Sequence, residues 1–182
     1  MFVESRDHPF MRYLEAHHAT IHAESLGIPR GAYYVWSVEE AYQGSWRVFP
    51  ILSQDSEWLL ADEARRNGRR CPRTTEILRR IPGLLMAGFS LLEPGTHIYP
   101  HADEAPMPTV RCHLGLAIPE GGGMRAEGEV RRWREGRCLG FESGEPHESA
   151  NTSDRDRLVL LVDVDAARAR QPVPGWREDQ AC

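Results

Sequence analysis

The chain has 182 residues and a formal net charge of −5, a length suited to one domain that buries its core without disulfides or structural metals. The negative balance argues against nucleic-acid binding, which depends on a basic surface to neutralise phosphates. All 22 basic side chains are arginine, so neither lysine Schiff-base chemistry nor a P-loop is available. The four cysteines, Cys71, Cys112, Cys138 and Cys182, form no CxxC pair, and two of them sit in apolar, strand-like runs; they read as reduced thiols. With no basic-then-apolar leader and no run long enough to span a bilayer, a soluble cytoplasmic protein without a membrane partner is expected. Composition leaves the oligomeric state open.

The stretch HPFMRYLEAHHATIHAESLG sets Phe10, Tyr13, Leu14 and Ile21 near helical spacing ahead of Gly27 and predicts one amphipathic helix. His18 and His22 lie one turn apart and could chelate a metal. No glutamate sits between them as in HExxH, so together with His17 they read as a solvated helix face. Two shorter helices are predicted over 55–66 and 73–80, separated by the turn-forming pairs Asn67-Gly68 and Cys71-Pro72. The arginines here, from Arg65 to Arg80, form either a solvated face or a dock for an acidic carrier protein.

From residue 84 the pattern changes. LLMAGFSLL, TVRCHLGLAIP, MRAEGEVRRW, RCLGFES and RLVLLVDV are short apolar or β-branched segments divided by Pro-Gly, Glu-Gly-Gly-Gly, Glu-Gly and Gly-Glu-Pro turns. The prediction is a mainly β, single-domain fold: a double-stranded β-helix (a cupin-like jelly roll) over about 83–165, with a helical layer over about 1–82 packed on it. The tail, 166–182, has no clear pattern and is expected to be irregular and partly disordered.

The candidate chemistry begins in SLLEPGTHIYPHAD. Residues two apart on an extended strand share a face, so His101 and Asp103 can aim an imidazole and a carboxylate at one point. A second histidine from a distant strand would complete a facial triad of the kind that holds non-haem Fe(II). His147, in SGEPHESANTSD, is the candidate. Arg157 opens RLVLLVDV, where a charge at the start of a buried strand calls for an anion; a fixed guanidinium clamps a carboxylate bidentately and suits a dicarboxylate. In TVRCHLGLAIP, Val110, Cys112, Leu114 and Leu116 share one face and Arg111 and His113 the other. That polar face looks either into a polar cavity or, on an edge strand, into water.

The runs FSLLEPGTHIYPHAD, VRCHLGLAIP and WREGRCLGFESGEPHESANTSDRDRLVLLVDV resemble the aspartyl/asparaginyl β-hydroxylase family of iron- and 2-oxoglutarate-dependent dioxygenases, closely over 70–165 and loosely before. The resemblance implies that His101 and His147 are iron ligands and that Ser90 and Arg157 receive the distal carboxylate of 2-oxoglutarate. It implies that His113, helped by Arg111, contacts the other carboxylate or an acidic group of the substrate. Better-known members carry glycine where this chain has Asp103; the aspartate is expected to complete a two-histidine, one-carboxylate triad, the alternative being that it orients a ligand or substrate from outside. Fe(II), 2-oxoglutarate and O2 are the implied cofactors, and hydroxylation of an aliphatic carbon the implied reaction. The expected substrate is an amino acid, free, within a peptide or on a carrier protein. The alternatives are a lipid acyl chain, a non-catalytic cupin-like metal-binding or sensor domain, and an isomerase or lyase on the same barrel.

Overall fold

The computed structural model describes residues 1–57, 60–104 and 107–178. In chain order the elements are β1 (Phe2–Val3), α1 (Pro9–Ala16), α2 (His18–Leu26), β2 (Tyr34–Val35), β3 (Tyr42–Gln43), β4 (Trp46–Ser53), α3 (Ala61–Gly68), α4 (Pro72–Arg79), β5 (Leu84–Leu92), β6 (His97–His101), β7 (Thr109–Ala117), β8 (Gly123–Ala126), β9 (Glu129–Arg131), β10 (Cys138–Glu142), β11 (His147–Ala150) and β12 (Arg157–Asp165). The strands form two antiparallel sheets, one ordered β1-β10-β7-β12-β5-β4-β2 and one ordered β3-β6-β11-β8-β9. This is the predicted mainly β fold with N-terminal helices packed on it.

The period-two rule explains why the large sheet is covered twice. On β12, Leu158, Leu160, Val162 and Val164 join Val110, Cys112 and Leu114 of β7 and Phe89 of β5 in a core that also contains Phe10, Met11 and Leu14 of α1, Ile21 of α2 and Leu78 of α4. The alternate residues face the small sheet. There Phe141 and Val159 meet Met124 and Ala126 of β8, while Trp46 and Leu92 meet Tyr42 of β3 and Ile98 of β6. Helices therefore cover one face and the small sheet the other, leaving an inner space between the sheets.

Four local expectations change. The first helix is two, broken at His17 (φ −103°, ψ 7°), and His17, His18 and His22 are half-buried rather than solvated, with the His18 and His22 rings stacked 5.5 Å apart. The helix expected from 55 starts at Ala61, because Asp55 Oδ1 accepts the Glu57 N–H and Ser53 Oγ the Asp55 N–H, a side-chain turn that competes with helix; positions 58 and 59 of that prediction lie outside the described residues. β4 is a full strand inside the expected helical layer. Its Pro50 argues against a ladder position, and the structure seats it at a register shift between Pro50 and Leu52, where a missing N–H is tolerated. The described part of the tail is packed: Ala169 and Val173 enter the main core, and Trp176 sits edge-on to Tyr13 at 5.6 Å. Residues 179–182, including Cys182, lie outside the described residues; Cys71, Cys112 and Cys138 are free thiols.

Candidate metal centre and anion pocket

His101 closes β6 and His147 opens β11, and the two are direct cross-strand partners. Their rings lie 4.3 Å apart, centroid to centroid. Each Nδ1 meets a backbone carbonyl two residues back, Tyr99 O at 2.7 Å and Glu145 O at 2.8 Å. A carbonyl only accepts, so each Nδ1 carries the proton and each Nε2 presents a free lone pair. Burial lowers the pKa of His147, which favours the neutral ring a metal needs.

A bulge aims His101 inward. Ile98 pairs with Ser149 and His101 with His147, so β6 carries one residue more than β11 across Tyr99-Pro100. Ile98 and His101, three apart, thereby line the same cavity. β6 ends at His101; Asp103 is not on the strand but in the following loop, its N–H bonded to Ser143 O at 2.9 Å. Its Oδ1 stands 3.6 Å from His101 Nε2. One donor atom from each of His101, Asp103 and His147 lies within 4.8 Å of the others, the one such trio of His, Cys or acidic residues found among the described residues. Two imidazole nitrogens and a carboxylate oxygen on one side of a point fit a divalent first-row metal.

The inner face of the large sheet supplies the rest. Arg157 is 2% exposed. Its guanidinium lies 4.6 Å over the Trp133 ring and its Nη1 donates a long 3.5 Å bond to Ser90 O, while its buried Nε has no acceptor among the described residues. No carboxylate offsets its desolvation, which lowers its pKa to about 9 and leaves it charged at neutral pH. Ser90 Oγ accepts from Trp46 Nε1 at 3.1 Å, so its own hydroxyl proton is free to donate. Trp133 Nε1–H, which can only donate, points at His113 Nδ1 at 3.2 Å. His113 Nδ1 therefore accepts and Nε2 bears the proton; that Nε2–H is also buried without an acceptor. Burial, then Arg157 and Arg111, hold the His113 pKa well below its ordinary value.

Arg111 differs from expectation. Its Nε and Nη2 donate to Asp163 Oδ1 and Oδ2 at 2.7 and 2.8 Å, and Nη1 makes a 2.7 Å ion-pair contact with Asp103 Oδ2, outside hydrogen-bond alignment. Burial opposes its charge, but the two carboxylates more than offset this and raise its pKa. Instead of standing free for a cosubstrate or substrate carboxylate, Arg111 is ion-paired with two of the protein's own, although the buried Asp103 Oδ2 has no aligned hydrogen-bond donor among the described residues.

Ser90, His101, Arg111, His113, His147 and Arg157 line one narrow cavity with ≈ 20 Å³ of open space, and Asp103 joins it through the triad. The even choice left for β7 is thereby decided: its polar face looks into a cavity, since β7 lies between β10 and β12. A larger open groove of ≈ 670 Å³ lies between β4 and α3 and α4, lined in part by Arg65, Arg69 and Arg79. It holds none of the ligating side chains and no orphaned donor, so the chemistry belongs to the smaller cavity. Reasoning from sequence missed Asp163 and Trp133. Asp163 falls on the inner-face alternation of β12 with Arg157, which could have marked it; Trp133 opens the last of the runs that carry the family resemblance but lies in a loop, where no local period marks its role.

These features define a class: a double-stranded β-helix with two histidines and a carboxylate gathered beside a buried arginine. The fold comparison agrees, since a prolyl-4-hydroxylase from Pseudomonas putida superposes with a TM-score of 0.52 at 18% identity, covering 81% of this chain and 86% of that one. The family model described as aspartyl/asparaginyl beta-hydroxylase matches residues 15–167, and the chain belongs to that family. It is 36% identical over 122 residues to an ornithine lipid ester-linked acyl 2-hydroxylase of Rhizobium tropici, covering 65% of this chain and 41% of that protein. It is 34% identical over 149 residues to aspartate beta-hydroxylase domain-containing protein 2 of Rattus norvegicus, covering 77% of this chain and 40% of that protein. The chain thus spans about two fifths of the length of these relatives.

Proposed function

We propose that the protein is an Fe(II)- and 2-oxoglutarate-dependent hydroxylase acting on an aliphatic carbon of an amino acid, free, within a peptide or on a carrier protein. The observation that carries this reading is the pair of buried donors without acceptors among the described residues, Arg157 Nε–H and His113 Nε2–H, in the same cavity as the triad. An orphaned buried donor costs about 1–3 kcal/mol, and a dicarboxylate held between them removes that cost. His101, His147 and Asp103 Oδ1 would hold Fe(II). Arg157 and the Ser90 hydroxyl would bind the far carboxylate of 2-oxoglutarate, and His113 Nε2–H would donate to the same molecule. Bound there, the metal and cosubstrate supply the oxygen activation that turns 2-oxoglutarate and O2 into succinate and CO2 while one oxygen atom enters the substrate C–H bond. The chain's own part is to favour the neutral His147 ring by burial, fix the orientation of both metal-facing imidazoles through Tyr99 O and Glu145 O, and exclude water with Phe141, Ile98 and Met124.

The likeness to the Rhizobium tropici acyl 2-hydroxylase favours a second reading, hydroxylation of a lipid acyl chain. No helix among the described residues is long and apolar enough to cross a membrane, so such a substrate would be taken from a surface or from solution. The test is anaerobic loading with Fe(II) and 2-oxoglutarate, then O2, with succinate assayed against amino acids, peptides and acyl lipids. His101→Ala should abolish turnover and weaken Mn(II) binding; full turnover in that variant would refute the site.

A further inference from the structure

We propose that Asp103, besides facing the metal position, is a built-in occupant of the Arg111 guanidinium, so that the site selects substrates whose reacting end bears no carboxylate. This rests on the reading that the triad holds a divalent metal and Arg157 a dicarboxylate.

Arg111 and Asp163 are direct cross-strand partners on β7 and β12, and the bidentate contact between them leaves only Nη1 to face the cavity. Asp103 Oδ2 stands 2.7 Å from that nitrogen as an ion pair outside hydrogen-bond alignment. The free carboxylate oxygen, Oδ1, is left on the side of His101 Nε2. Asp163 thus acts as a positioning residue: it fixes Arg111, which fixes Asp103 by one oxygen and turns the other toward the metal position.

Counting charge in the cavity leads to the same place. Asp103 and Asp163 balance Arg111 and Arg157, and a divalent cation balances the dianion 2-oxoglutarate. The loaded site is neutral. A substrate carboxylate brought beside it would be a buried charge with no partner, which low-dielectric surroundings penalise severely. Without Asp103 the loaded site would carry one net positive charge, with Arg111 Nη1 open to receive one carboxylate. The single side chain at position 103 therefore sets which charge the reacting end can bear.

The probe is acetate, with acetamide as the neutral control, read by the Mn(II) dissociation constant from electron paramagnetic resonance at fixed ionic strength. Wild type is first titrated with Mn(II) and 2-oxoglutarate; failure to bind either refutes the underlying site and takes the proposal with it. Asp103→Gly should bind Mn(II) at least tenfold more weakly, and acetate should recover about tenfold of that while acetamide recovers none. Wild type, and Asp103→Gly combined with Arg111→Gln, should not respond. Asp163→Asn, which removes no metal donor, should weaken Mn(II) binding several-fold through Asp103. Acetate acting equally on wild type and Asp103→Gly, or not at all on a folded Asp103→Gly, overturns the proposal. Should circular dichroism show Asp103→Gly unfolded, Asp103→Ala replaces it in every arm; should that unfold too, Asp103→Asn decides by whether its loss of Mn(II) affinity matches that of Arg111→Gln.

Discussion

Replacing Arg157 by methionine should separate stability from ligand binding. In the unliganded protein the guanidinium is buried with no acid beside it among the described residues. Burial holds its pKa at about 9, well below the ordinary guanidinium value, which at about 1.36 kcal/mol per pH unit amounts to several kcal/mol held against the charged form. That is an upper bound, since water entering the cavity solvates the group. Methionine is close in length and apolar, and it loses the contact over Trp133, worth ~1–2 kcal/mol when desolvated, and the 3.5 Å bond to Ser90 O. The net expectation is that Arg157→Met leaves the unliganded fold as stable as wild type or stabilises it by about 1–3 kcal/mol, which for a chain of this size raises Tm by roughly 3–9 °C. Binding should move the other way. Loss of a charge-assisted contact to a carboxylate costs about 2–5 kcal/mol, so the Tm increase that 2-oxoglutarate gives in the presence of Mn(II) should vanish in the variant. Urea unfolding and thermal melts with and without ligand read both effects. A variant destabilised by more than about 2 kcal/mol that still responds to 2-oxoglutarate would show that Arg157 is a structural arginine and refute the reading.

The pH dependence of the same contact follows from its sign. Burial depresses the Arg157 pKa to about 9, and the dicarboxylate binds the protonated form. The 2-oxoglutarate dissociation constant should therefore be flat below about pH 9 and weaken by about tenfold per pH unit above it; calorimetric titrations showing no change at about pH 10.5 would contradict this. Trp133→Phe removes the donor that fixes the His113 tautomer; it should weaken 2-oxoglutarate about three- to tenfold and change the urea midpoint little. Gly115→Ala should act first on folding, because a Cβ there would lie 2.2 Å from the Arg134 carbonyl oxygen. Forcing β7 from that segment should cost about 2–4 kcal/mol in urea unfolding, and an unchanged midpoint would mean that the backbone gives way freely.

What was legible in the sequence was whatever depends on a local period. Alternation in TVRCHLGLAIP and RLVLLVDV places Arg111, His113 and Arg157 opposite the apolar face, and the structure has them there. What depends on pairing between distant strands was not legible. Arg111 reads as free for a ligand until β12 is set against β7 in the register that puts Asp163 opposite it. β4 lies in a stretch to which the sequence alone assigns no element, and only its partner β5 reveals the register shift that accommodates Pro50. The break at His17 has no proline or glycine to announce it.

The bulge in β6 shows why the two kinds of information have to meet. Strict alternation from Ile98 would put His101 on the outer face with His97, whose Nε2 instead pairs with Glu148 at 2.8 Å. The extra residue across Tyr99-Pro100 reverses that parity, and proline suits the place because it has no N–H to contribute to the ladder. The same irregularity aligns the Tyr99 carbonyl with His101 Nδ1, so one backbone feature both turns the imidazole inward and sets which nitrogen carries its proton. Large-sheet stability comes from the opposite, apolar face, where Phe89, Leu114 and Leu160 are fully enclosed. The inner face of that sheet can therefore carry a buried arginine with no aligned acceptor for its Nε among the described residues, unfavourable in itself, without putting the fold at risk.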